Sequence, residues 1–224
     1  MALPPSFDPK AVPVQAVDRH LPKVSAASLT PQAIAARFAR QHAWEPELRQ
    51  EAKFMDRPPA HASVLIPLVQ RERLTVLLTL RPTHMSSHSG QIAFPGGKAD
   101  PEDQDAVATA LREAEEEVGL QPGFVQVMGS LPVYTTGSAF IVTPVVALVR
   151  PGFQLQANAD EVDEVFEVPL DFLMDPAHHR HHVVDFAGGQ RNWLSMPYQD
   201  GSTERFIWGA TAGMLRNFYR FLLD

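Results

Sequence analysis

The sequence contains no cysteine, so neither a disulfide frame nor a thiol nucleophile is available to it. It has no surplus of positive charge: 19 lysines and arginines face 26 aspartates and glutamates, a net charge of −7. With a pI of about 5.7, nucleic acid and anionic membranes are poor partners for such a surface. No apolar run is long enough to span a bilayer, and the opening thirty residues lack the apolar core of a signal peptide. The closing Arg220-Phe-Leu-Leu-Asp224 is not a peroxisomal address, so cytoplasm is the expected location. There is no internal repeat, and no low-complexity stretch beyond the N-terminal prolines. A serine nucleophile elbow is also missing, since Ser87-His88-Ser89-Gly90 lacks the G-x-S-x-G pattern.

What remains is the composition of an ordinary globule, 45% hydrophobic and 20% charged over 224 residues. That length predicts one main domain over 60–224, preceded by a proline-rich extension and helix over 1–59. Residues 1–28 show no sustained period. Thr30-Pro31 is an N-cap and N1 pair opening a helix over about 31–42. Ala62 to Val69 and Leu74 to Arg81 are apolar, β-branched runs that predict a hairpin. Val125 to Pro132, Phe140 to Val149, Glu164 to Val168, Arg191 to Met196 and Glu204 to Ile207 read as further strands. Thr211 to Leu223 closes the chain as a helix with an apolar stripe, fit for the core or a subunit interface. Strands on both sides of a central helix suit an α/β fold with a mixed sheet between helical layers.

The central helix carries the chemistry. It is expected to start near Gln104 with Asp103 as N-cap and to end at Gly119, with Pro122 blocking continuation. Val107, Leu111, Ala114 and Val118 form its apolar stripe. On the other side Glu113, Glu116 and Glu117 stand at i, i+3 and i+4, with Arg112 one turn before Glu116. Each pair of such carboxylates repels by roughly 3 kcal/mol at an effective dielectric near 20. Fully solvated, the cost falls to about 0.2–0.5 kcal/mol, so repulsion alone does not demand a metal. Seen alone, the run is also what a solvated acidic face looks like. The upstream pair Gly96-Gly97 changes the balance, because glycine lets backbone approach a cation or phosphate closely. Hard oxygen ligands in a cluster suit Mg²⁺ or Mn²⁺.

These residues resemble the Nudix box, G-x5-E-x7-R-E-U-x-E-E-x-G-U, where U is aliphatic. Arg112 to Leu120 matches its second half at every fixed position. The first half departs: counted from Gly97, the acid position falls on Asp103, and eight residues rather than seven separate it from Arg112. That departure sets Asp100 and Asp103 apart from the ligand assignment. Upstream, Leu77-Leu-Thr-Leu-Arg81, His88-Ser-Gly-Gln91 and Phe94-Pro-Gly-Gly97 resemble the signature of the coenzyme A diphosphatase branch of the family. Val142 to Val145, Val165 to Leu170 and Ile207 to Thr211 extend the likeness, which spans about residues 60–220.

The resemblance implies the Nudix α/β/α sandwich and hydrolysis of the diphosphate of coenzyme A or its derivatives. The products would be 3′,5′-ADP and 4′-phosphopantetheine or its acyl form. It further implies Mg²⁺ or Mn²⁺ held by Glu113, Glu116 and Glu117 with a carbonyl of the glycine pair, Gly97 or Gly96. Glu116 and Glu117 would act in catalysis with Arg112 orienting them, while Arg81, His88, Phe94 and Gly96 would meet the substrate. The general base stays open between Glu117 and an acid from another loop, Glu161 or Glu164. A homodimer is one assembly the resemblance admits. The bland readings are that Arg81 pairs with a neighbouring acid and that His88 ties down its own loop. Rival functions are hydrolysis of another nucleoside diphosphate derivative such as ADP-ribose, a ligand sensor of the same fold without turnover, or a scaffold resting on the proline-rich segment. His178, His179, His181 and His182 read as a solvated loop, with a transition-metal site as the alternative.

Overall fold

The computed structural model describes residues 7–40, 44–53, 57–84, 89–186 and 189–223. The chain opens with a short strand, β1 (Val14–Val17), and a helix, α1 (Pro31–Ala39), whose Thr30 hydroxyl accepts the Ala33 N–H at 3.2 Å. The expected hairpin follows as β2 (Ala60–Val69) and β3 (Thr75–Leu80), antiparallel with Leu68 opposite Val76. Short strands β4 (Ile92–Ala93) and β5 (Gly96–Lys98) lead into α2 (Ala106–Val118). Then come β6 (Val125–Ser130), β7 (Tyr134–Thr135), β8 (Phe140–Val149), β9 (Glu164–Pro169) and α3 (Leu170–Leu173). The last part is β10 (Arg180–Phe186), β11 (Gly189–Asp200), β12 (Thr203–Trp208) and α4 (Gly209–Leu223).

The larger sheet runs β4-β3-β2-β8-β6, with β5 on β2, β7 on β8 and β9 on β3. It is mixed, because β2 and β8 pair in parallel from Ala60 opposite Phe140 to Val69 opposite Val149 while their other neighbours are antiparallel. Both central strands are near-continuous apolar runs, as strands buried on two faces must be. On one face Leu65, Val69, Leu77, Val145 and Val149 pack against Ala110, Ala114 and Val118 of α2. On the other, Ile66, Leu68, Val76, Leu78 and Val146 meet Ile34 of α1 and Leu215 and Phe218 of α4. The mixed sheet between helices is therefore present.

A second sheet, β1-β10-β11-β12, shares the α4 side through Leu194, Met196 and Ile207, and it was not foreseen. It overturns the solvated histidine loop. His181 and His182 lie on β10, and His179 and His182 are buried. His179 Nε2 donates to the Leu173 carbonyl at 2.8 Å, so its Nδ1 is the acceptor for Arg216 at 2.9 Å. His182 lies 2.7 Å from the Ser195 hydroxyl and 3.0 Å from the Val12 carbonyl. These rings are already committed to neighbours, and no transition-metal set forms among the described residues. Residues 14–17, read as lacking any period, become strand by pairing with His182 to Arg180 of β10.

Candidate active site

Two ends fix α2. Its N-cap is Asp105, which accepts the Ala108 N–H at 2.8 Å, two residues later than the expected Asp103. Its C-cap is Gly119 at φ +69°, where a Cβ would also stand 2.9 Å from the Gln156 nitrogen. With the apolar stripe on the sheet, Arg112, Glu113, Glu116 and Glu117 are left towards β5. The glycine pair there lies in strand β5, paired with β2. A Cβ on Gly96 would lie 2.4 Å from the Ser63 carbonyl oxygen, and one on Gly97 would lie 2.5 Å from the Glu113 carboxyl. Gly96 is therefore required by close approach to backbone, while Gly97 leaves room for the Glu113 carboxyl.

Arg112 is the hub of the exposed side. It donates to Asp103 through Nε and Nη2, each at 3.0 Å, to Glu116 at 2.9 Å and to the Lys98 carbonyl at 3.0 Å. It also lies 3.1 Å from Glu113 and 3.7 Å from Asp100. Hydrogen bonds from Arg112 hold the Asp103 carboxyl well below the usual range, and Asp103 holds the guanidinium proton affinity above its own. The extra residue in the motif thus has a structural role: it lets Asp103 reach Arg112 while Asp105 caps the helix.

Glu113 and Glu117 point the other way, inward. Glu117 is 3% exposed and accepts the Gly96 N–H at 3.1 Å, with Arg81 Nη1 at 3.6 Å. Burial raises its pKa to about 7 against the pull of Gly96 and Arg81, with Glu113 and Glu161 adding repulsion. Burial likewise raises Glu113, opposed by Arg112 and reinforced by Glu116 and Glu161. Glu161 reaches this group because the 156–162 loop docks on the end of α2. There the N–H groups of Gln156 and Asn158 bond the carbonyls of Val118 and Glu117 at 2.9 Å each. The Asn158 side chain accepts from Asp160 N at 3.2 Å and donates to Glu161 at 3.4 Å. Asn158 escaped the sequence reading, although asparagine before Ala-Asp-Glu is the mark of such a turn.

The structure thus gathers Arg81, Gly96, Gly97, Arg112, Glu113, Glu116 and Glu117. Phe94 does not join them; at 2% exposure its ring lies in the apolar core, where β4 leads the chain inward. Glu164 is also elsewhere, bound twice by Arg205 at 2.6 Å. His88 lies outside the described residues.

With this geometry in view, comparison with known proteins is decisive. The NUDIX domain profile matches residues 59–186. The chain is 44% identical over 158 residues to the uncharacterized Nudix hydrolase NudL of Escherichia coli strain K12, covering 69% of this chain and 79% of that one. The chain belongs to the Nudix family. A second relative, the uncharacterized Nudix hydrolase NudL of Photorhabdus laumondii, is 42% identical over 155 residues, covering 69% and 81% of the two chains. Among solved structures, a C. elegans Ap4A hydrolase binary complex is similar over 53% of this chain and 85% of that one, at 18% identity and a TM-score of 0.43. No substrate is read from that likeness.

Nudix hydrolases act on diphosphate bonds and generally use a divalent metal such as Mg²⁺ or Mn²⁺. Among the described residues no three acidic or histidine side chains already converge as a ligand set. Arg112 holds Glu116 to one side, on a side chain that is 58% exposed. The donor chemistry nevertheless fits a hard cation. Glu113 and Glu117 are desolvated carboxylates with raised proton affinity, set against a glycine backbone that leaves space for them.

Proposed function

We propose that this Nudix chain hydrolyses the diphosphate linkage of coenzyme A or its derivatives, releasing 3′,5′-ADP and 4′-phosphopantetheine or its acyl form. The observation that carries the hydrolytic part is a pair of acids, buried Glu117 and half-buried Glu113, facing Glu161 beside Gly96 and Gly97. A desolvated carboxylate cluster destabilises its own fold unless a cation completes it, so its persistence argues for function. Glu113, Glu116 and Glu117, with the Gly97 carbonyl, are the residues that would hold Mg²⁺ or Mn²⁺. Such an ion neutralises charge on a diphosphate and lowers the pKa of a bound water.

The remaining work falls to the chain. Arg112 positions Glu113 and Glu116 from one guanidinium, itself anchored by Asp103. Arg81, 3.6 Å from Glu117, presents a planar fork suited to phosphate oxygens. A carboxylate that binds a cation loses basicity, so the proton of the attacking water goes to an acid outside the ligand set. Glu161 fits this role, because its loop is fixed by Asn158 and it faces both Glu113 and Glu117. Attack on one phosphorus in line with the bridging oxygen then expels the other phosphate.

The coenzyme A assignment is supported by the order Leu77–Arg81, Gly90-Gln91 and Gly96-Gly97 on neighbouring elements. Arg81 N–H bonds the Gln91 carbonyl at 2.9 Å, which ties the first part of that signature to the second. Product release from coenzyme A, acyl derivatives, ADP-ribose and nucleoside triphosphates, measured with Mg²⁺ and with Mn²⁺, tests the reading. Coenzyme A should turn over fastest. ADP-ribose cleaved far faster would overturn the substrate assignment.

A further inference from the structure

We infer that Arg57, Lys98 and Phe140 form a second anion subsite, which takes a phosphate ester that the substrate carries in addition to its diphosphate. The inference rests on the diphosphatase reading above for where the diphosphate lies. The Arg57 guanidinium stands 4.2 Å from the centroid of the Phe140 ring, and Lys98 Nζ lies 6.0 Å from the same centroid. Arg57 Nε donates to the Ser138 carbonyl at 2.6 Å, which fixes the plane of the fork. Its Nη2 is buried and finds no hydrogen-bond acceptor among the described residues. No carboxylate among the described residues pairs with either cation, in a chain whose net charge is −7. Stacking on the ring explains the orientation of Arg57 but leaves its Nη2 without an acceptor among the described residues, and a phosphate oxygen is a group that matches it.

The location ties this subsite to the acidic cluster. Gly97 faces Glu113, and alternation along β5 sends the next side chain, Lys98, to the opposite face, where Phe140 packs. The separation along the strand is one residue, about 3.3 Å of rise. Among the described strands β5 pairs only with β2, and on its other edge side chains rather than a strand meet the backbone, Glu117 at the Gly96 N–H and Arg112 at the Lys98 carbonyl. A nucleotide with its diphosphate at Gly97 and a further phosphomonoester at Lys98 and Arg57 satisfies both charge patterns. A nucleoside diphosphate derivative lacking that ester leaves the second one unmet.

The test is calorimetric titration of the full chain in chelator with adenosine 3′,5′-bisphosphate and with AMP, for the wild type, Arg57→Gln and Lys98→Gln. The wild type should bind the bisphosphate at least roughly 10-fold more tightly, the scale of one charge-assisted hydrogen bond. Each variant should lose most of that preference while its affinity for AMP stays within about two-fold. Lys98 is exposed, so Lys98→Gln keeps the test open if Arg57→Gln does not fold. Equal affinity for the two nucleotides, or a preference untouched by both variants, would overturn the subsite. Hydrolysis separates the two claims. A chain that keeps the preference but leaves coenzyme A intact upholds the subsite and sinks the substrate reading. One that cleaves coenzyme A and its dephosphorylated form equally well does the reverse.

Discussion

Two arginine-centred clusters sit in this molecule, and they balance charge in opposite ways. Arg216, 3% exposed on α4, lies 2.9 Å from Asp18 and binds Glu47 through Nε at 2.8 Å and Nη2 at 3.0 Å. Its remaining donor goes to neutral His179, so the buried cation and its acids are satisfied inside the fold. Arg112 serves Asp103, Glu116 and Glu113 yet leaves Glu117 and the inner side of Glu113 desolvated. The first cluster ties the N-terminal segment to α4 and the second sheet. The second is incomplete in a way that only something from outside the chain can remedy. A closed network is structural; an open one of like charge marks the site.

The contrast can be broken at either end. Glu161→Gln should leave the fold intact and lower kcat by about 10²–10⁴-fold, the usual range for a lost general base. Steady-state assays on the preferred substrate check this, and a loss under ten-fold would remove Glu161 from the mechanism. Arg216→Ala should destabilise the chain by about 2–4 kcal/mol, since it leaves Asp18 to His181 and half-exposed Glu47 to Arg220 at 3.9 Å. Denaturant melts measure that, and a change below about 1 kcal/mol would show that the network is solvated.

The pH slopes should run in opposite directions. Burial first, with Arg216 adding to it, lowers the His179 pKa to about 4 from 6.5. Between those values the unfolded chain binds the extra proton, so stability falls as pH drops, by about 3 kcal/mol across the window. Glu117 is raised to about 7 from 4.5, so the folded chain keeps a proton that the unfolded one has released. Stability therefore falls as pH climbs through that range. Glu117→Gln should accordingly stabilise the metal-free fold at pH 8 by about 1–3 kcal/mol while abolishing turnover. Thermal melts from pH 4 to 8 in chelator test both, and a variant less stable than the wild type at pH 8 would contradict the frustrated-acid account.

How far the sequence could be read follows the same divide. Features resting on local chemistry were legible: the Thr30 cap, the Gly119 stop, the apolar stripe of α2 and the β2–β3 hairpin. Misreadings came where a distant partner decides. Asp103 looked like a cap because Arg112, which claims it, lies nine residues away. The polar His-rich run became β10 only through pairing with β1 and β11. Phe94 sits inside a signature motif yet packs into the core, since β4 turns it inward. The acidic triad was visible as spacing, but the divergence of Glu116 from Glu117 depends on Arg112 and Gly96.

The most direct measurement is calorimetric titration of the full chain with Mn²⁺ at pH 7.5, compared with Glu113→Gln and Glu117→Gln. The account predicts saturable binding at millimolar or lower metal in the wild type, accompanied by proton release, and its loss in both variants. No heat of binding at millimolar Mn²⁺, or binding equal in all three proteins, would contradict it.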